Sequence, residues 1–81
     1  MEVKNTDLSY LAQKWPSGVV ARERISDFTG GLLSPGRMAN LDVAGQGPPE
    51  RIRFAGRKIA YPVNSLIKWL ESRAEVLGGQ P

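Results

Sequence analysis

The chain has 81 residues, a net charge of +3 and a pI of about 9.7, enough for one small, mildly basic domain with a modest core. It contains no Cys and no His, which excludes disulfides and thiolate metal sites and removes the commonest general base and metal ligand. No Ser, Lys or Asp sits in a spacing that suggests an activated nucleophile, so an enzyme is not expected.

Residues 1–6 are polar and expected to fray. Thr6 or Asp7 can cap a short helix from about Leu8 to Trp15, on which Leu8, Leu11, Ala12 and Trp15 form one apolar stripe. A small core needs every apolar face, so the stripe is expected to dock on its own domain rather than on a partner. Pro16-Ser17-Gly18 ends it. Val19 and Val20 read as extended. A second helix runs from Ala21 or Arg22 to Thr29, with Ile25 and Phe28 inward and Arg22, Glu23, Ser26 and Asp27 outward. Glu23 and Asp27 are a like-charged i,i+4 pair, which Arg24 partly offsets at i,i+3 from Asp27. Gly30-Gly31 stops the helix, with Gly30 as the left-handed cap.

Ser34 suits an N-cap and Pro35 a first helical position. The third helix spans Pro35 to Leu41 or Asp42, with Met38 and Leu41 inward over Leu33. Gly36, Arg37 and Asn40 face outward. Gly36 lets another backbone approach closely. An ordinary wet face explains Arg37 and Asn40 equally well on this segment alone. Val43 to Pro49 reads as a loop stiffened by Pro48-Pro49.

Arg51 to Tyr61 alternates apolar and basic residues around a Gly-containing turn and predicts a β-hairpin. A turn at Ala55-Gly56 pairs Phe54 with Arg57, Arg53 with Lys58 and Ile52 with Ile59. Ile52, Phe54, Ile59 and Tyr61 then form a core-facing underside, and Arg51, Arg53 and Lys58 lie opposite. Like charges across a strand pair are unfavourable, and no acid interrupts residues 51–58. A polyanion outside, or simply a solvated basic face, accounts for that run. Pro62 opens a fourth helix to Arg73 or Val76, with Val63, Leu66, Ile67, Leu70, Ala74 and Leu77 on one stripe. Trp69, off its centre, either covers the first helix near Trp15 or meets a partner. Residues 77–81 read as a disordered tail.

Three stretches carry a family resemblance: Glu23-Arg24-Ile25 through Gly30-Gly31, Leu33-Ser34-Pro35 through Asp42, and Gly47-Pro48-Pro49 followed by Ile52 to Pro62 and Val63 to Leu70. In this order they resemble the excisionase-type winged helix-turn-helix proteins, relatives of the DNA-binding domains of MerR-type regulators and of AlpA-like phage regulators. The resemblance implies a mainly α fold with a small β-hairpin, a winged helix-turn-helix over residues 19–76 behind an N-terminal extension over 1–18. It further implies a recognition helix in the major groove of double-stranded DNA and a basic wing on a flanking groove or the backbone. Arg37 and Asn40 become the residues for base edges, since Arg can bond guanine and Asn adenine in two places. Ser34 and the helix start, with Gly36, would hold a phosphate. Arg53, Arg57 and Lys58 would be wing contacts, and Arg22 or Arg24 would reach the backbone. Two departures stand out: Leu41 sits where these proteins often carry an aromatic, and the Leu8–Trp15 extension lies outside the minimal domain.

The expected role is an excisionase or a small transcriptional regulator of the phage or mobile-element kind. Its partners would be DNA, with an integrase or a second copy of the chain beside it. No cofactor, metal or small-molecule ligand is expected. No apolar run approaches a membrane span, the first residues lack a signal-peptide pattern, and the absence of Cys fits a cytoplasmic protein. The competing role is a protein-interaction adaptor built on Trp15, Trp69 and the Leu8–Trp15 stripe. RNA binding is disfavoured because the few aromatics read as core.

Overall fold

In the computed structural model, which describes residues 7–75, four α-helices accompany a three-stranded antiparallel sheet. The elements are α1 (Tyr10–Gln13), β1 (Val19–Ala21), a 3₁₀ turn (Arg22–Arg24), α2 (Ile25–Thr29), α3 (Pro35–Val43), β2 (Ile52–Phe54), β3 (Lys58–Pro62) and α4 (Val63–Arg73). The frayed start, the Thr6 cap, Leu77 and the tail fall outside the described residues.

α1 is shorter than expected. Asp7 Oδ1 does not cap it but accepts from the N–H and hydroxyl of Ser9, which hold the Asp7 carboxyl below its ordinary range. Leu8, Leu11, Ala12 and Trp15 pack against the core, and Leu8 N–H donates to Glu71 on α4 at 2.7 Å. The stripe therefore docks on its own domain. The Trp15 ring meets Phe28 edge-on at 5.3 Å, and its N–H donates to Val19 O.

The second helical segment begins as a 3₁₀ turn and becomes α-helical only at Ile25. Gly30 closes it in the left-handed conformation, φ 67°. Ser26 is not free on the surface; its hydroxyl donates to Leu33 O at 2.7 Å. Ser34 caps α3 by accepting from Arg37 N–H, and Pro35 follows at the first turn. α3 continues through Val43, one or two residues further than expected. α4 ends at Arg73, so Ala74 lies beyond it.

The fold is mixed α/β rather than mainly α with a lone hairpin, because Val19–Ala21, expected only as an extended entry, pairs as a third strand. The sheet order is β1-β3-β2, with Val20 opposite Tyr61. The hairpin pairing differs by one residue from the expected one: Ile52 faces Ala60, Arg53 faces Ile59 and Phe54 faces Lys58. The turn is where it was expected. Ala55 and Gly56 take φ of 55° and 74°, and Arg57 N–H donates to Phe54 O. The loop nevertheless holds three residues, because Arg57 has no partner in the ladder. One extra residue turns β2 over relative to β3.

Two corrections follow. Ile52 and Phe54 are not core: they lie on the outer face, 41% and 70% exposed. Arg53 instead shares the inner face with Ile59 and Tyr61, while Lys58 stays on the outer face as expected, now joined there by Phe54. Leaving the Phe54 ring in water forgoes about 1.5–3 kcal/mol of burial. The core consists of Val20, Ile25, Phe28, Met38, Leu41, Tyr61, Val63, Leu66, Ile67 and Trp69. Trp69 is packed in the core beneath the loop that follows α3, donates to Gln46 O at 3.0 Å, and carries the Arg73 guanidinium 5.0 Å from its ring.

No helix among the described residues is long and apolar enough to cross a membrane.

Candidate nucleic-acid interface

α3 divides into three faces. At about 100° per residue, Met38 and Leu41 point into the core. Pro35, Ala39 and Asp42 turn toward the hairpin. Gly36, Asn40 and Val43 follow at i, i+4 and i+7 and form an exposed stripe, with Val43 89% exposed. Val43 was expected in the loop. The longer α3 adds it to the stripe, three residues beyond Asn40.

Between α3 and the hairpin lies an open cleft of about 550 Å³. Arg22, Arg51, Arg53 and Arg57 line it, together with Ala39, Asp42, Val43, Gly56 and Ile59. Four guanidiniums meet one carboxylate there, and that carboxylate is already engaged. Arg22 Nη2 lies 2.5 Å from Asp42 Oδ2, and the Tyr61 hydroxyl donates to the same oxygen at 2.7 Å while accepting from Arg22 Nε at 3.0 Å. Arg22 therefore does not point freely outward as expected. Its side chain is 26% exposed and tied to α3 and β3. Burial opposes its charge, but the bonds to Tyr61 and Asp42 outweigh that and raise its pKa. Burial, first, also pushes the Tyr61 phenol above its ordinary value.

The Asp42 side chain is 6% exposed, and its other oxygen, Oδ1, is buried with no hydrogen-bond partner among the described residues. Arg51 Nη1 stands 3.7 Å from it. A Cβ at Gly47 would come within 2.0 Å of Oδ1, so the loop can cross here only as glycine. Arg51 both approaches Asp42 and lines the cleft.

The remaining candidates divide by location. Arg37 is exposed but lies on the far flank of α3, in a groove with Leu32, Leu33, Leu41, Trp69, Leu70 and Arg73. Arg24 is exposed and paired with Asp27 at 3.0 Å, as the spacing suggested. Lys58 pairs with Glu23 at 3.1 Å instead of standing free on the hairpin. Arg53 and Arg57 are exposed at the cleft, and neither is ion-paired among the described residues. Ser34 Oγ is committed as an acceptor to the α3 cap but keeps its proton for a further partner.

Thus Arg22, Arg53 and Arg57 come together, Gly36 and Asn40 sit beside them across α3, and Arg24 and Lys58 are held by acids. Among the described residues no group of three or more carboxylates could hold a metal ion. No family model matches the chain, and comparison with curated proteins and with solved structures gives no significant match.

Proposed function

We propose that the protein binds double-stranded DNA sequence-specifically in the cytoplasm, as an excisionase-like factor or small transcriptional regulator with a winged helix-turn-helix. α2 and α3, joined across Gly30-Gly31, form the helix pair. α3 enters the major groove and the β2–β3 hairpin is the wing on a flanking groove or the backbone. The observation that carries the reading is the arginine cleft beside the exposed Gly36–Asn40–Val43 stripe. Backbone phosphates would balance the guanidiniums that Asp42 leaves uncompensated, and the stripe would lie against base edges. Asn40 supplies a donor and an acceptor for adenine, and Val43 an apolar contact for a thymine methyl.

An adaptor that docks proteins through its tryptophans finds little support. Trp69 is buried and Trp15 half-buried, with both indole N–H groups bonded internally.

The test is selection from a random duplex pool at two salt concentrations. A short enriched motif is expected. About five phosphate contacts give a slope of log affinity against log salt near −4 to −5. A flat salt response removes the reading. A steep response without enrichment leaves DNA binding without sequence recognition.

A further inference from the structure

Phe54 is the largest exposed aromatic at the hairpin tip. It is the last residue of β2, next to the Ala55-Gly56 turn, and 70% exposed. Its position follows from the three-residue loop. With Arg57 outside the ladder, the pairing sets Phe54 opposite Lys58 and turns the ring away from the core. Cations surround the tip: Arg53 precedes the ring and lies on the opposite face, Arg57 follows the turn, and Lys58, directly across from Phe54, is paired with Glu23. An apolar protein surface laid over the tip would have to cover these charges. A nucleic acid offers flat π faces and phosphates within a few ångströms of each other, which matches this grouping.

We infer that Phe54 is a wedge that stacks against nucleobases, entering the minor groove at the hairpin tip and partly unstacking one base step while Arg53 and Arg57 hold the adjacent phosphates. Apolar side chains on DNA-bending proteins act in this way, and pyrimidine–purine steps such as TA yield most easily. The inference rests on the DNA-binding reading and adds to it a deformation of the duplex. It also removes the ground on which RNA binding was disfavoured, since an aromatic does stand outside the core.

The experiment compares the full chain with Phe54→Trp and Phe54→Ala, titrated with a mixed-sequence duplex containing TA steps. The ring touches little of the core, so all three proteins are expected to melt together. A base stacked on residue 54 quenches the new indole. Trp15 and Trp69 provide a background, measured in the parent chain, that changes far less. The expected result is strong quenching of Phe54→Trp at saturation. Phe54→Ala is expected to bind roughly tenfold more weakly with an unaltered salt slope, since stacking is lost but phosphate contacts are not. Salt-dependent binding with no quenching, or with parental affinity for Phe54→Ala, overturns the wedge and leaves the DNA reading intact. A self-association of the free protein that Phe54→Ala abolishes, with duplex affinity unchanged, reassigns the ring to a second copy and likewise overturns it. No salt-dependent binding by the parent chain removes the DNA reading and the wedge together.

Discussion

The Tyr61 hydroxyl donates to Asp42 on α3 and accepts from Arg22 in the 3₁₀ turn, joining three segments at one oxygen. That a tyrosine here would be buried was legible, because it falls on the apolar phase of β3. The network was not. Asp42 lies 20 residues from Arg22 and 19 from Tyr61, and each charged residue reads locally as solvated. Tyr61→Phe should cost about 1 kcal/mol at neutral pH, the usual worth of one hydrogen bond. It should also alter the alkaline limb of stability. The folded-state pKa of Tyr61 is raised, so the native state keeps a proton that the unfolded chain releases near pH ~10. Its stabilisation is therefore complete below that pH and is lost as pH rises toward the folded value. Urea midpoints at neutral and alkaline pH, subtracted between parent and variant, isolate this term. A difference that stays constant above pH ~10 would contradict the assignment.

The hairpin marks how far an element can be read from its own residues. Its two strands, its turn and its basic character were legible from alternation and from Gly56. Its register was not, since two-residue and three-residue loops both fit Ala55-Gly56-Arg57. The choice is made elsewhere: β1 lies beside β3 and fixes Tyr61 inward with Val20, and β2 must pair with what remains. Likewise Val19–Ala21, too short to announce a strand, becomes one only through that pairing. The loop carries one local strain that can be relieved. Ala55 occupies the left-handed region at φ 55°, where its Cβ is unfavourable. Ala55→Gly should stabilise the protein by about 0.5–1 kcal/mol, the relief being partly offset by the added freedom of the unfolded chain. A higher denaturation midpoint with the Ile52–Ala60 pairing retained in cross-strand nuclear Overhauser contacts would bear this out. A lower midpoint would contradict it.

Across the whole molecule, the order of helices, the docked first stripe and the core role of α4 were legible from helical periodicity and end signals. Surface assignments were less so, because exposure depends on partners distant in sequence. Glu23 holds Lys58 from 35 residues away, and Asp42 holds Arg22. If the DNA-binding reading holds, three single changes should separate. Asn40→Ala should relax preference at one base pair by about 1–3 kcal/mol. Arg57→Ala should weaken all duplexes alike and reduce the salt slope by about 1. Lys58→Ala should do less, because an exposed pair with Glu23 already occupies its ammonium. Parallel duplex-pool selections with each variant supply the comparison. An unchanged motif for Asn40→Ala would remove α3 as the reading surface, whereas Arg37→Ala, on the α4 flank of α3, is expected to leave the motif unchanged.

The sheet order β1-β3-β2 leaves β2 an open edge carrying Ile52 and Phe54, the kind of strand that invites edge-to-edge assembly. Arg53, with Arg51 just before the strand, opposes it. In a sheet continued through two copies of β2 with faces matched, a two-fold axis at Arg53 sets Arg53 against itself. An axis at Ile52 sets Arg51 against Arg53 of the second copy. Either arrangement brings guanidinium to guanidinium. The same arginines that give the cleft its charge thus also guard the free protein against polymerising through its own edge.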